Sequence, residues 1–301
     1  ACQILLHDRV PDSAAVNEAV KLTRELHLDP FAGMVNAVLR RLVDNKETLK
    51  WPDPSEGAHY LSVMYSLPEW LAQRLIDDYG ADEAQRIASY RTENGQREAD
   101  FEKMLSRKVW ETEKGVMPGA VRVYGAMQIA RDSDFIKGLY SIQGEGSMLA
   151  AEAVGTKHGM SVLDCCAAPG GKTAYIAERL EGTGRVYAWD LHAHRVELIR
   201  ATMRRLHLDN VRVAARDAMQ VRDEFLGSMD AVLLDAPCSG LGVMDDKPDV
   251  KYRHTPESVA ELCDTQRKLL DACCQYVRVG GTLVYSTCSM LKDENERQIA
   301  R

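Results

Sequence analysis

The sequence predicts an α/β protein. An open, doubly wound parallel sheet fills its C-terminal half, preceded by an all-helical segment and a small α+β region. Three observations carry this. From about Leu139 onward, short apolar runs alternate with amphipathic stretches of 10–15 residues. Over the first 50 residues the apolar period is helical throughout. Between about residues 95 and 137 the chain is charge-dense and follows neither period for long.

The elements follow in order. Val16, Val20, Leu22 and Leu26, then Val35, Val38, Leu39 and Leu42, mark two helices separated by Asp29-Pro30. Trp51-Pro-Asp-Pro54 is a break. Pro68-Glu-Trp-Leu opens a helix that runs to Tyr79 and stops at Gly80, and another helical pattern follows to about Tyr90. Ser161-Val-Leu-Asp-Cys-Cys166 is the first strand of the sheet, and Gly170-Gly-Lys-Thr opens a helix to about Leu180. Arg185–Asp190 is a second strand, followed by a helix over about 193–206. Val211-Arg-Val-Ala is a third strand and Asp230–Asp235 a fourth. A long helix over about 256–277 leads into a fifth strand, Gly281–Ser286.

Composition bounds the function. Apolar residues at 45% and charged residues at 28% are ordinary for a globular protein and exclude global disorder. No apolar run reaches the roughly 18 residues a membrane helix needs, so no membrane partner is expected. A net charge of −7 argues against a generic polyanion binder. That charge is uneven, however: residues 51–157 carry 12 basic and 17 acidic side chains, and residues 158–301 carry 19 and 21. Eight cysteines without a C-x-x-C argue against a zinc ribbon or redox dithiol. With no secretory signal, a reducing, cytoplasmic setting is expected. Residue 1 is Ala, and both ends fall within helical patterns, so the chain reads as trimmed at each end.

The chemistry gathers at the predicted strand ends. Asp164-Cys-Cys-Ala-Ala-Pro-Gly-Gly-Lys-Thr173 follows strand one with small residues and paired glycines, which let backbone N–H groups approach a ligand at a helix N-terminus. It matches neither G-x-G-x-x-G nor a phosphate loop, and the plainer reading is a tight strand-to-helix turn. Asp190 ends strand two, 26 residues after Asp164, where an acid accepts hydrogen bonds from a ribose diol. Asp217 follows strand three, where it would meet an adenine edge, and Asp235 ends strand four. Four acids at one sheet edge around a Gly-rich loop point to an adenosyl ligand, and without a phosphate loop S-adenosylmethionine fits better than a nucleotide. Cys238 follows strand four and Cys288 follows strand five. Carbon 5 of cytosine is too weak a nucleophile to take a methyl group directly. Thiolate addition at carbon 6 makes an enamine that can, and a second acid/base group then serves proton removal and release. The alternative is two structural thiols.

The strings Ala167-Ala-Pro-Gly-Gly-Lys172, Asp235-Ala-Pro-Cys-Ser-Gly240, Lys247-Pro-Asp249 and Ser286-Thr-Cys-Ser289 resemble the RNA 5-methylcytosine methyltransferases, and within them the Sun/Fmu small-subunit ribosomal RNA branch. The resemblance covers nearly the whole chain. It implies a partial NusB-like helical domain over 1–50, a connecting RNA-binding region over 51–140, and a Rossmann-like catalytic domain over 141–301. It also implies Cys288 as the nucleophile on carbon 6, Cys238 as the thiol that assists product release, and Asp235 against the cytosine edge. Cys166, Ala167, Ala168, Pro169, Gly170, Gly171, Lys172, Asp190, Asp217 and Asp235 become the S-adenosylmethionine positions, although Lys172 has the alternative of merely closing the turn. The implied partner is ribosomal RNA, 16S foremost, with no metal. The same chemistry on transfer RNA, or a non-catalytic assembly role, are the alternatives; the oligomeric state is left open. Gln143-Gly-Glu-Gly-Ser147 and Asp245-Asp246 depart from the family pattern, and the stretch after Asn94 is short, with no clear strand before Phe101.

Plainer readings cover the rest. His192-Ala-His194 opens a surface helix, and Arg200, Arg204 and Arg205 read as a solvated helix face. Trp51, Trp70 and Trp110 read as packing residues.

Overall fold

A computed structural model describes residues 4–5, 10–89, 97–98, 111–124 and 128–300. Two compact units divide the chain, Ala1–Glu56 and Gly57–Arg301. In the first, α1 (Asp12–Glu25) and α2 (Asp29–Asn45) enclose a small core of Ile4, Ala15, Val16 and Leu39. Pro30 stands in the first turn of α2, where its missing N–H leaves no bond unmade.

The second unit opens with α3 (Ala58–Tyr65), α4 (Glu69–Tyr79) and α5 (Ala81–Ser89). Gly80, at φ +83°, ends α4 as expected. Leu61, Leu67, Leu71, Leu75 and Ala84 pack with Leu241, Val259 and Leu291 of the α/β part, so the two share a core. A small antiparallel sheet follows, in which β3 (Val121–Tyr124) lies between β1 (Arg97–Glu98) and β2 (Glu111–Lys114). The two-residue β1 precedes Phe101, where the sequence showed no clear strand. Phe101 and Trp110 themselves lie outside the described residues. Helix α6 (Glu145–Glu152) then leads into the large sheet.

That sheet has five parallel strands: β4 (Ser161–Asp164), β5 (Arg185–Asp190), β6 (Val211–Ala215), β7 (Met229–Asp235) and β8 (Val277–Ser286). Their spatial order is β6-β5-β4-β7-β8. Order reverses between β4 and β7, which opens a crevice at the carboxyl ends of the strands, where such sheets bind ligands. Helices α7 (Gly171–Arg179) and α8 (Ala193–Arg205) cover one face over Val162, Val186, Ala231 and Leu233, with Ile199 of α8 in that layer. Helix α9 (Pro256–Cys273) covers the other, over Leu163, Val232 and Leu234, with Trp189 and Tyr276 edge to face in that layer. Alternate residues of β4 and β7 thus feed opposite layers, which is why these strands read as unbroken apolar runs.

Four readings change. The long helix after the fourth strand stops at Cys273 instead of continuing to about 277, because Cys274–Tyr276 tightens into a 3₁₀ turn. The fifth strand consequently starts at Val277, paired to Met229 across a register shift. Arg205 is no solvated face: its guanidinium donates to the carbonyls of Phe135 and Tyr140 and stacks on the Phe135 ring. Trp51 is 47% exposed, whereas Trp70 packs in the helical core. No helix among the described residues is long and apolar enough to cross a membrane, and none of their His, Cys, Asp and Glu residues cluster to hold a metal ion.

Candidate active site

The acids predicted at strand ends lie along one edge of the sheet. Asp164, Asp190 and Asp235 are the last residues of β4, β5 and β7, and Asp217 follows β6 by two residues. A cavity of about 310 Å³ is lined by Cys166, Ala168, Asp190, Asp217, Asp235, Cys238 and Cys288, among others. A second, of about 240 Å³, shares Cys166, Ala168 and Asp235 and adds Asp164, Ala167, Pro169, Gly171 and Lys172. Of the candidate residues, Gly170 lines neither cavity. It turns the chain into α7 at φ +106°, and a Cβ there would press 3.3 Å from the Ile199 backbone. A glycine meets both demands.

Each acid has distinct partners. Asp190 is buried and accepts from the backbone N–H of His192 at 3.1 Å and of Ala168 at 3.4 Å, with Arg195 Nη1 3.4 Å away. It therefore ties the Gly-rich loop to the end of β5. Asp217 accepts from the Met219 N–H at 2.9 Å, shaping the turn after β6. Asp164 is 1% exposed; Oδ2 accepts from Thr173 Oγ1 at 2.7 Å, while Oδ1 has no hydrogen-bond partner. Burial pushes its carboxyl up to about 7, against the Thr173 hydrogen bond. Asp235 is engaged on both oxygens, by Lys172 Nζ at 2.7 Å and by Ser286 Oγ at 2.7 Å. Lys172 thus reaches across from α7 to β7.

The two thiols meet. Cys238 Sγ and Cys288 Sγ are 3.3 Å apart, and the Cys288 N–H donates to Cys238 Sγ at 3.3 Å. The Cys238 S–H hydrogen bond draws the Cys288 thiol down to about 7, assisted by Lys172 and opposed by burial and Asp235. Cys238 moves the opposite way, raised by that same bond and by burial. The pair is therefore polarised toward a thiolate at Cys288 and a thiol at Cys238. Of the other cysteines, Cys165, Cys263 and Cys273 are buried and Cys274 is exposed; Cys2 lies outside the described residues.

Residues 151–301 match the family model described as 16S rRNA methyltransferase RsmB/F, and residues 1–44 match the NusB family. A Bacillus subtilis protein named "Probable ribosomal RNA small subunit methyltransferase B" is 37% identical, over 97% of this chain and 68% of its own. The chain belongs to the RsmB/F methyltransferase family. The ribosomal RNA small subunit methyltransferase B of Shewanella oneidensis is 30% identical over 99% of this chain and 70% of its own. Among solved structures, a methyltransferase homolog from Pyrococcus horikoshii superposes with a TM-score of 0.71 at 28% identity, covering 82% of this chain and 81% of that one. The RsmB/F and NusB matches bear out the expected composite of a NusB-like helical part and a Rossmann-like methyltransferase fold.

Two features of this RsmB/F site escaped sequence reasoning. Ser286, whose hydroxyl holds Asp235, ends β8 opposite Asp235 in the sheet register, a pairing visible only once the strands are aligned. Glu294 is completely buried beside the thiol loops, although it stands in the charged run Lys292-Asp-Glu-Asn-Glu296.

Proposed function

We propose that this chain uses S-adenosylmethionine to methylate carbon 5 of a cytosine in 16S ribosomal RNA. The observation carrying this reading is the Cys238–Cys288 pair, 3.3 Å apart, with the acidity of one thiol raised at the expense of the other. RsmB/F membership and relatives named as small-subunit ribosomal RNA methyltransferases supply the substrate class.

The cavity residues fit the methyl donor. Asp164 Oδ1 is a buried acceptor without a partner beside the Gly-rich loop, and Asp190 and Asp217 line the wall a ribose and adenine would occupy. When bound, S-adenosylmethionine supplies an electrophilic methyl group on a sulfonium. Asp190, Asp217 and the loop Cys166–Lys172 hold and orient it.

The protein's own residues do the rest. The target base leaves its stack so that both thiols reach it. The Cys288 thiolate adds to carbon 6, and the ring electrons move onto carbon 5, which becomes nucleophilic enough to accept the methyl group. Asp235, fixed by Lys172 and Ser286, hydrogen-bonds the cytosine edge and favours the protonated ring that accepts a thiolate. Once the addition removes Cys288 from its hydrogen bond, the Cys238 thiol gives its proton to solvent; the resulting Cys238 thiolate takes the proton from carbon 5, the carbon 5–carbon 6 double bond re-forms, and Cys288 leaves as thiolate.

Incubation of purified protein with labelled methyl donor and 16S RNA tests this directly. Cys288→Ala is expected to abolish incorporation. Cys238→Ala is expected to trap a covalent protein–RNA adduct on denaturing gels. The reverse pattern, with the adduct trapped by Cys288→Ala, would exchange the two roles. RNA binding without incorporation by the wild type would favour an assembly factor, and bisulfite mapping of the product separates ribosomal from transfer RNA.

A further inference from the structure

The two thiols sit on separate loops, one after β7 and one after β8, so a short sulfur–sulfur distance requires that the loops be tied together. Strand pairing closes with the Ala236 N–H donating to Ser286 O at 2.8 Å, before either cysteine, and past it the Gly242 N–H donates to Cys288 O at 2.8 Å while the Ser239 and Ser289 hydroxyls lie 3.1 Å apart. The buried link that gathers both loops onto one side chain is Glu294. Its Oε1 accepts from the Ser239 N–H at 2.8 Å and from Gln266 Nε2 at 3.0 Å, while Oε2 accepts from the hydroxyls of Ser239 and Ser289. Ser239 directly follows Cys238, and Ser289 directly follows Cys288. Gln266 Nε2 also donates to Pro237 O at 2.9 Å, holding the residue before Cys238 against α9. The neighbouring Asn295 braces the second loop through Thr287 Oγ1 and Ser289 O. A carboxylate with 0% exposure and four donors is costly to place unless every donor is matched, and here every one is.

We infer that Glu294 is a positioning residue: its carboxylate ties the residue after each thiol to a single point and so fixes the separation of Cys238 and Cys288. This rests on the proposed roles of the two cysteines, since a fixed separation matters to methyl transfer only if both act. Glu294 lines neither cavity at the sheet edge, so its effect travels through the loops and not through the methyl donor.

Glu294→Ala, Glu294→Gln and Ser289→Ala are compared in the full chain. The readouts are methyl-transfer kcat, methyl-donor Kd and the pH dependence of Cys288 alkylation by iodoacetamide, followed on the Cys288 peptide by mass spectrometry. In Glu294→Ala and Ser289→Ala the alkylation midpoint is expected to rise by about one unit as the S–H donor drifts from Cys288. In the same two variants kcat should fall about tenfold, with donor Kd within about twofold. Glu294→Gln keeps a carbonyl oxygen for the Ser239 N–H and turns its amide to the two hydroxyls, so it is expected to retain at least about a third of kcat. If Glu294→Ala does not fold, Ser289→Ala and Glu294→Gln still decide. The inference is overturned if folded Ser289→Ala keeps both midpoint and kcat, or if Glu294→Gln falls as far as Ser289→Ala, which would make charge and not the tie the operative feature. Should Cys288→Ala still transfer methyl groups, the catalytic roles fail while the alkylation midpoints judge Glu294 on their own.

Discussion

Asp164 combines burial, one hydrogen bond and one oxygen without a partner, and this combination has a consequence for stability. Its carboxyl titrates near 7 when folded, well above the ordinary value of 3.8. The folded protein therefore holds a proton that the unfolded chain has already released, and folding is favoured by it at acid pH. This contribution is fully present below the ordinary carboxylate value and is lost as pH rises through about 7. In urea unfolding without methyl donor, Asp164→Asn is expected to be more stable than wild type at pH 8, with the difference shrinking toward pH 5. A stability difference that does not change over that interval would show that Asp164 is ionised throughout. The same residue frames the binding reading: an acceptor left without a partner in a cavity wall is relieved when a ligand donor arrives.

At the scale of elements, the thiol loops are governed by close backbone approach. Gly242, in the 3₁₀ turn Leu241–Val243 after Cys238, donates its N–H to Cys288 O at 2.8 Å, and a Cβ there would lie 2.7 Å from that same oxygen. Backbone cannot swing aside as a side chain can. Gly242→Ala is expected to cost about 1–3 kcal/mol in urea unfolding, as overpacking does, and to lower methyl transfer by displacing the Cys288 loop; unchanged stability and activity would mean that the two loops separate freely. Elements of this kind mark the boundary of what was legible in the sequence. The five strands and α7 and α8 could be read because each strand carries a short run rich in apolar residues and each helix a helical period. Thr255-Pro256 likewise announces α9, where the Thr255 and Ser258 side chains cap one another's backbone N–H groups. Helix α3 went unread because its sequence is apolar nearly all round, with only Leu61 buried. Helix α6 went unread because Gly144 and Gly146 flank its start. The acids and cysteines stood out because each ends a recognisable strand. Glu294 and Arg205 did not, since Ser239 lies 55 residues from the first, Phe135 and Tyr140 lie 65–70 residues from the second, and only folding brings them together.

For the molecule as a whole, net charge alone decides little about partners. The −7 total is concentrated in residues 51–157, whereas the α/β part is nearly balanced, and the field a polyanion meets is set by the surface it approaches. The division into Ala1–Glu56 and Gly57–Arg301 says more, because every residue lining the two cavities at the sheet edge belongs to the second unit. That unit also contains every residue of the shared core joining α3–α5 to the α/β part. The first unit relies on a core of a few residues, and chains of its length are marginal alone. Residues 57–301 expressed by themselves are therefore expected to fold and to bind S-adenosylhomocysteine by calorimetry with a Kd within about twofold of the full chain's, because the binding free energy is made within one unit. In the full chain, residues 1–56 are expected to unfold first on heating, giving a separate low-temperature transition. Loss of ligand binding in the shorter chain, despite a cooperative melt, would mean that the helical unit completes the site. One coincident transition in the full chain would mean that the two units stabilise each other.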